Sequence, residues 1–215
     1  MPAAEKIEAT KVVFGTTPGK LVRLGYLHAH RPHTNSESGF DEYGVQIMIP
    51  KANVEDYKAA VAAFEEQKKL FFPKGQLPPK FHNPIKDGDK DVNQKGKPLN
   101  VPGFWLIAAK TSAYEMLPGT RQQDKTRPTT PPGVVGTTKD TDGKLKSLSE
   151  REIKSGDWGR VSVNFKGYTT GDSGVGVYLN NIQKVQDGEP MSSRKSAADE
   201  FADFASDADE FDPLS

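Results

Sequence analysis

Three stretches of this chain alternate apolar and polar residues with a period of two, the mark of a strand with one buried face. In Tyr43–Pro50, Val45, Ile47 and Ile49 alternate with Gln46 and Met48. In Trp158–Tyr168, Val161, Val163 and Phe165 share one face. Trp158, Arg160, Ser162, Asn164, Lys166 and Tyr168 share the other. In Gly174–Gln186, Val175, Val177 and Leu179 point inward, which leaves Tyr178 and Asn180 outside, with Lys184 further along if the register holds. These last two runs are joined by Thr169–Ser173 and read as a hairpin. Lys11–Phe14, Leu21–His30 and Gly103–Tyr114 read as further strands, the first two divided by Thr17-Pro18-Gly19.

The period changes only once. Asn53 is a suitable N-cap, Glu55 and Asp56 suit a first helical turn, and Val54, Tyr57, Val61, Phe64 and Lys68 follow at helical spacing. The pattern predicts one amphipathic helix ending near Leu70, before Pro73. Pro73–Pro102 and Met116–Arg151 are polar and turn-rich and read as long loops, the first with one short strand near Phe81. The 20 glycines and 16 prolines argue against a helical bundle and for short strands between turns.

Charge changes the picture. Lys+Arg and Asp+Glu both number 29, so the formal net charge is zero. Yet no basic residue follows Lys195, while seven acids do: Asp199, Glu200, Asp203, Asp207, Asp209, Glu210 and Asp212. Residues 1–195 therefore carry about +7 and the end about −7. Such a split suggests a basic binding domain, residues 1–191, followed by a linker and acidic tail, residues 192–215, expected to be disordered. A segment kept only for solubility needs no aromatic residues. Phe201, Phe204 and Phe211 lie among these acids, and the run Asp209-Glu210-Phe211-Asp212 suits a short motif that docks on a partner or folds back on a basic groove.

There is no cysteine, which excludes disulfide scaffolds and cysteine metal sites. No apolar run approaches the ~20 residues of a membrane span, and the N-terminus lacks a secretory pattern. The expectation is a cytoplasmic protein without a membrane partner.

The outer face of Trp158–Tyr168 mixes rings and cations. Bases stack on rings of any identity while Lys and Arg hold phosphates. Trp158, Arg160, Asn164, Lys166, Tyr168 and Tyr178 are therefore candidate DNA contacts, joined by Arg23, Arg31, Lys110 and Tyr114. The plainer alternative is a half-buried strand whose rings cover a core edge. Lys20, Phe40, Tyr43, Arg121, Lys125 and Arg127 support only a general positive field. His28, His30 and His33 cluster in LHAHRPH, but no acid lies within the run and Arg31 repels a cation, so no metal is expected. No nucleophile elbow, phosphate loop, metalloprotease or dinucleotide motif occurs. The chain reads as a non-enzyme that needs no cofactor.

The run SGDWGRVSVNFKGYTTGDSGVGVYLNNIQKVQDGEP, followed by the acidic, Phe-containing end, resembles the single-stranded-DNA-binding proteins of tailed bacteriophages. The strands up to YGVQIMIPK and the Ala-rich helix after them are similar too. The resemblance implies a mainly β chain, an OB-fold-like five-stranded Greek-key barrel with one helix. It implies roles in phage replication and recombination. Together with the ring-and-cation face and the charge split, it gives the expectation of sequence-independent binding and protection of single-stranded DNA, with weaker binding of double strands and self-association as further options. It also implies replication or recombination proteins as partners of the tail. Members commonly end on Phe after acids, whereas this chain ends Phe211-Asp212-Pro213-Leu214-Ser215. A competing reading is a protein-interaction or assembly module that only presents the tail.

Overall fold

A computed structural model describes residues 8–191, apart from 37, 94, 95, 121 and 170–172. The tail, with Phe201, Phe204, Asp209, Glu210, Phe211 and Asp212, lies outside the described residues. So do Arg121 and the centre of the predicted hairpin turn.

Among the described residues, eleven strands and one α-helix follow in chain order: β1 (Thr10–Phe14), β2 (Val22–Thr34), β3 (Asp41–Pro50), α1 (Val54–Phe71), β4 (Ile85–Asp87), β5 (Phe104–Ser112), β6 (Tyr114–Met116), β7 (Gln123–Pro128), β8 (Gly133–Lys139), β9 (Leu145–Ser147), β10 (Trp158–Tyr168) and β11 (Gly174–Gln186). β2, β3 and β5 form an antiparallel meander. β5 meets β11 in parallel, β11 pairs antiparallel with β10, and β10 returns to β2 at Trp158 and Gly159. That circuit is a closed five-walled barrel with the OB-type strand order, and β1 extends the first wall along Phe14↔Val161 to Thr10↔Phe165.

Alternation does what the pattern predicts. Val45, Ile47 and Ile49 meet Ile107 and Ala109, while Val161, Val163, Phe165, Val175, Val177 and Leu179 fill the opposite wall. Phe14 and Phe165 touch edge to face, with ring centroids 6.5 Å apart. Each such fully buried side chain contributes roughly 1.5–3 kcal/mol.

Helix α1 plugs one end of the barrel with Ala60, Ala63 and Phe64. The Asn53 side chain accepts from the Asp56 N–H, and the Asp56 carboxylate accepts from the Gly15 N–H at 2.7 Å, which ties the helix start to the β1–β2 turn. Gln67, fully buried, donates to Glu8 O and Thr10 Oγ1 and accepts from the Gly167 N–H.

Three expectations need correction. Residues 116–151 are not one irregular loop: they hold β7, β8, β9 and a 3-10 turn at Glu150–Glu152. β8 continues the β11 edge through Asn181↔Gly133 to Gln183↔Val135, and Val134 enters the core. Backbone pairing on an existing edge does not need strong alternation in the added strand, so its sequence signal is weak. The short strand in the 73–102 segment is Ile85–Asp87, on β5, rather than at Phe81. Finally, Lys184 does not share the outer face of Tyr178. A bulge between Ser162 and Val163 leaves Asn180 unopposed and flips the parity of β11, so Ile182 enters the core and Lys184 sits opposite Gly159. There Lys184 and Lys154 flank fully buried Asp157. Burial alone would push the Asp157 carboxyl up, but donors from Lys154, Gly188 and Lys184 outweigh it and hold the group below the usual carboxylate range.

Candidate nucleic-acid interface

The register pairs compose one row around the outside of the barrel. Lys11 on β1 stands opposite Asn164 on β10, Asn164 opposite Tyr178 on β11, and Tyr178 beside Lys110 on β5. Lys110 stands opposite Gly44 on β3, and Gly44 opposite His28 on β2. Every member lies on the parity away from the core.

Tyr178 is the centre of this row. Its side chain is 44% exposed. A Cβ on Gly176 would lie 3.4 Å from the Tyr178 ring, so the ring rests along its own strand over a residue without a side chain. That packing removes enough water to push the phenol's pKa up. Lys166 is exposed and stands opposite Gly176, beside this ring. Tyr168 follows opposite Gly174. A half-exposed ring with lysines at neighbouring register positions on β5 and β10 presents an apolar surface to a base and cations to its phosphates.

Neighbouring groups adjust the charge. Lys110 pairs with Glu42 at 3.1 Å, which offsets part of one cation. His28 stacks on His33 with centroids 4.3 Å apart. Burial, then the neighbouring His33, lowers the pKa of His28. Asn164 Nδ2 donates to Asn180 Oδ1 at 3.2 Å, which closes the bulge on the outer face.

The other candidates are distributed differently. Arg160 is on the outward parity, but its guanidinium donates to Gly15 O and Gln183 Oε1 and is committed to joining β1, β10 and β11. Trp158 belongs to a second outer row, Trp158–Arg23–Met48–Leu106. Arg23 lies 6.0 Å from the Trp158 ring centroid and donates to Gly156 O and Glu189 O. Phe104 lies 6.4 Å from Trp158 at 41°. Arg31 is exposed and paired with Glu150 at 2.8 Å, and Tyr114 is carried on the separate β6–β7 hairpin.

Sequence reasoning did not single out Lys11, Gly44, His28 or Phe104 for this face. Parity along β5 places Phe104 with Lys110, so that signal was available. Lys11 and His28 join the row only through pairing between strands far apart in the chain.

Residues after β11 cross the same exterior. The Gly188 N–H donates to Asp157 Oδ1, and the Met191 N–H donates to Ser155 O. A Cβ on Gly25 would sit 3.4 Å from Met191 Sδ and 3.1 Å from Met48 Sδ, so Met191 rests on the β2–β3 face.

The fold recurs in solved structures. The single-stranded DNA-binding protein from bacteriophage Enc34 in complex with ssDNA matches with a TM-score of 0.57 and 22% identity, over 88% of this chain and 97% of that one. A second structure of the Enc34 protein matches at 0.55 and 19% identity, over 93% and 97%. Gp2.5, a single-stranded DNA binding protein encoded by bacteriophage T7, matches at 0.51 and 16% identity, over 96% and 97%. Identities this low establish a shared fold. No curated protein sequence matches the chain. The family model described as "Enterobacter phage Enc34, ssDNA-binding protein" matches residues 10–212. Because that match omits only the two ends of the sequence, the chain belongs to the Enterobacter phage Enc34 single-stranded-DNA-binding protein family.

Proposed function

We propose that this chain binds single-stranded DNA without sequence preference, along the outer row centred on Tyr178, and does so without catalysis or a cofactor. The observation that carries the reading is the juxtaposition of Tyr178, packed on Gly176, with Lys110 and Lys166 on the strands to either side. Family membership supports it. Stacked rings read no base edge, and lysines that hold phosphates carry no sequence information, so such a surface discriminates strand form rather than sequence. Duplex DNA, whose bases are already stacked on one another, engages only the cations and binds more weakly.

The role that fits is coating and protecting exposed strands during phage replication and recombination in the host cytoplasm. Among the described residues no helix is long and apolar enough to cross a membrane. Residues 192–215 carry seven acids and three phenylalanines and follow a basic body. That charge split favours a tail that competes with DNA when it folds back and offers its phenylalanines to replication or recombination proteins when it does not. Self-association on DNA is compatible with this surface.

The test is an anisotropy titration of the full chain with labelled oligo-dT, oligo-dA and the duplex formed from them, at several salt concentrations. The expected result is similar affinity for both single strands, weaker duplex binding, and affinity that falls with salt. Equal affinity for duplex and single strands would replace this reading with general polyanion binding.

A further inference from the structure

Trp158 also lines a cavity that the outer row does not include. Its volume is about 470 Å³, and its walls are Leu21, Pro50, Ala52 and the Trp158 indole, with Lys20 and Gln186 at the rim. It lies at the barrel end where β2 begins, β3 ends and β10 begins. The size falls in the ~300–1,000 Å³ range of small-ligand pockets.

We infer that this cavity is a nucleobase pocket, in which one unstacked base of the bound strand inserts against Trp158 while its backbone passes Lys20 and Arg23. The inference rests on the DNA-binding reading above and adds a second, separate contact point.

Three observations carry it. First, the indole wall is fixed before any ligand arrives. Arg23 lies 6.0 Å from the ring centroid, Phe104 tilts against the ring at 6.4 Å, and the Gly188 backbone abuts Cδ1 so closely that a Cβ there would be 3.1 Å away. A preset wall costs little ordering entropy on binding.

Second, the polar group at the floor is already committed. Asn53 is 2% exposed, its amide donates to Asp56 and Lys20 O, and its carbonyl accepts from the Asp56 N–H. Apolar walls over a satisfied floor accept any flat ring, which matches sequence-independent binding.

Third, the cavity lies within a short strand's reach of the DNA surface. On β3 and β5, the rows containing Lys110 and Trp158 are four residues apart, about 13 Å at ~3.3 Å per residue. That separation is within the span of the ~4–16 nucleotides held by a fold of this type. The rim cation is available by exchange, since Lys20 is held by the exposed carboxylate of Glu55 at 2.6 Å and a phosphate can take that place.

The test uses the full chain with Trp105→Phe, which leaves Trp158 as the sole tryptophan. Oligo-dT is compared with a fully abasic strand of equal length, read by tryptophan emission and, in parallel, by anisotropy. The expected result is quenching by oligo-dT and none by the abasic strand at saturation. Leu21→Glu, which places a carboxylate among the apolar walls, should weaken oligo-dT binding about tenfold and abolish the quench, with Leu21→Ala intermediate. If Trp105→Phe or Leu21→Glu does not fold, wild type against Trp158→Phe gives the same base-dependent difference. Equal emission change with both strands, or an unaltered quench in Leu21→Glu, overturns the pocket while anisotropy still reports binding. Loss of all binding to oligo-dT by the wild-type chain overturns the functional reading itself. Emission that changes without DNA when Phe201, Phe204 and Phe211 are all replaced by Ala, with no base dependence, overturns the inference by assigning the cavity to the tail.

Discussion

Tyr178 and Lys110 are the register pair through which β11 and β5 meet, and through them the barrel closes. The same seam therefore joins the fold and the proposed DNA surface. The Thr111 hydroxyl donates to Leu179 O across it at 2.6 Å. β4 occupies the β5 edge on one side of the contact and β8 the β11 edge beyond it, so the seam is short but flanked by paired backbone.

Replacing Tyr178 by Ala should weaken oligo-dT binding about tenfold, since a base stack is worth roughly 1–3 kcal/mol. Tyr178→Phe keeps the ring and should bind nearly as well. Gly176→Val should mimic the Ala variant without removing the ring, because its side chain occupies the bed on which the ring lies. Anisotropy measures the affinity, and an unchanged melting temperature in Tyr178→Ala separates binding from stability.

Lys166→Gln should act uniformly on oligo-dT, oligo-dC and oligo-dA. If this ammonium neutralises one phosphate, the slope of log K against log salt becomes shallower by about 0.7. A loss confined to one base would assign Lys166 to base recognition instead.

Gln67→Met should destabilise the domain by about 1–3 kcal/mol, measured by urea unfolding. The substitution keeps most of the volume but leaves the buried Gly167 N–H without its acceptor and Glu8 O without its donor. DNA affinity at low urea should be unchanged, because Gln67 lies on the buried face of α1 against β1 and the Gly167 backbone rather than on the outer row.

Acidification should lower stability through His28 and His82. Both have lowered pKa values, with burial the first cause in each case; His33 adds to it for His28, and Lys86 and Lys110 for His82. Near pH 7.5 both rings are neutral in either state and their contribution is complete. As pH falls through the unfolded value of ~6.5, the unfolded chain takes up protons first, so stability drops toward the folded values. The melting temperature should fall between pH 7.5 and 5.5, and less so in His28→Gln. Oligo-dT affinity should move the other way, since a phosphate beside His28 favours its charged form.

Much of this protein was legible before folding was considered. The bounds of β10 and β11 match the predicted runs at both ends, and α1 extends one residue past its predicted end. Period and capping are local properties, so local sequence carries them. The outward set Trp158, Asn164, Lys166 and Tyr168 was legible for the same reason. Lys184 was misplaced because parity counting assumes an unbroken ladder, and the bulge at Asn180 breaks it. β8 was missed because its strand character comes from the β11 edge it joins.

By itself the sequence determined the period of the main strands, the helix after β3, the split between a basic body and an acidic end, and the two faces of β3 and β10. Which faces meet was decided only in three dimensions. Lys11, Asn164, Tyr178, Lys110, Gly44 and His28 form one row because five walls close in a particular register. Register between distant strands depends on the fit of the whole core and on where bulges fall. The same closure brings Leu21, Pro50 and Trp158 around one cavity, and no local pattern in the chain encodes that neighbourhood.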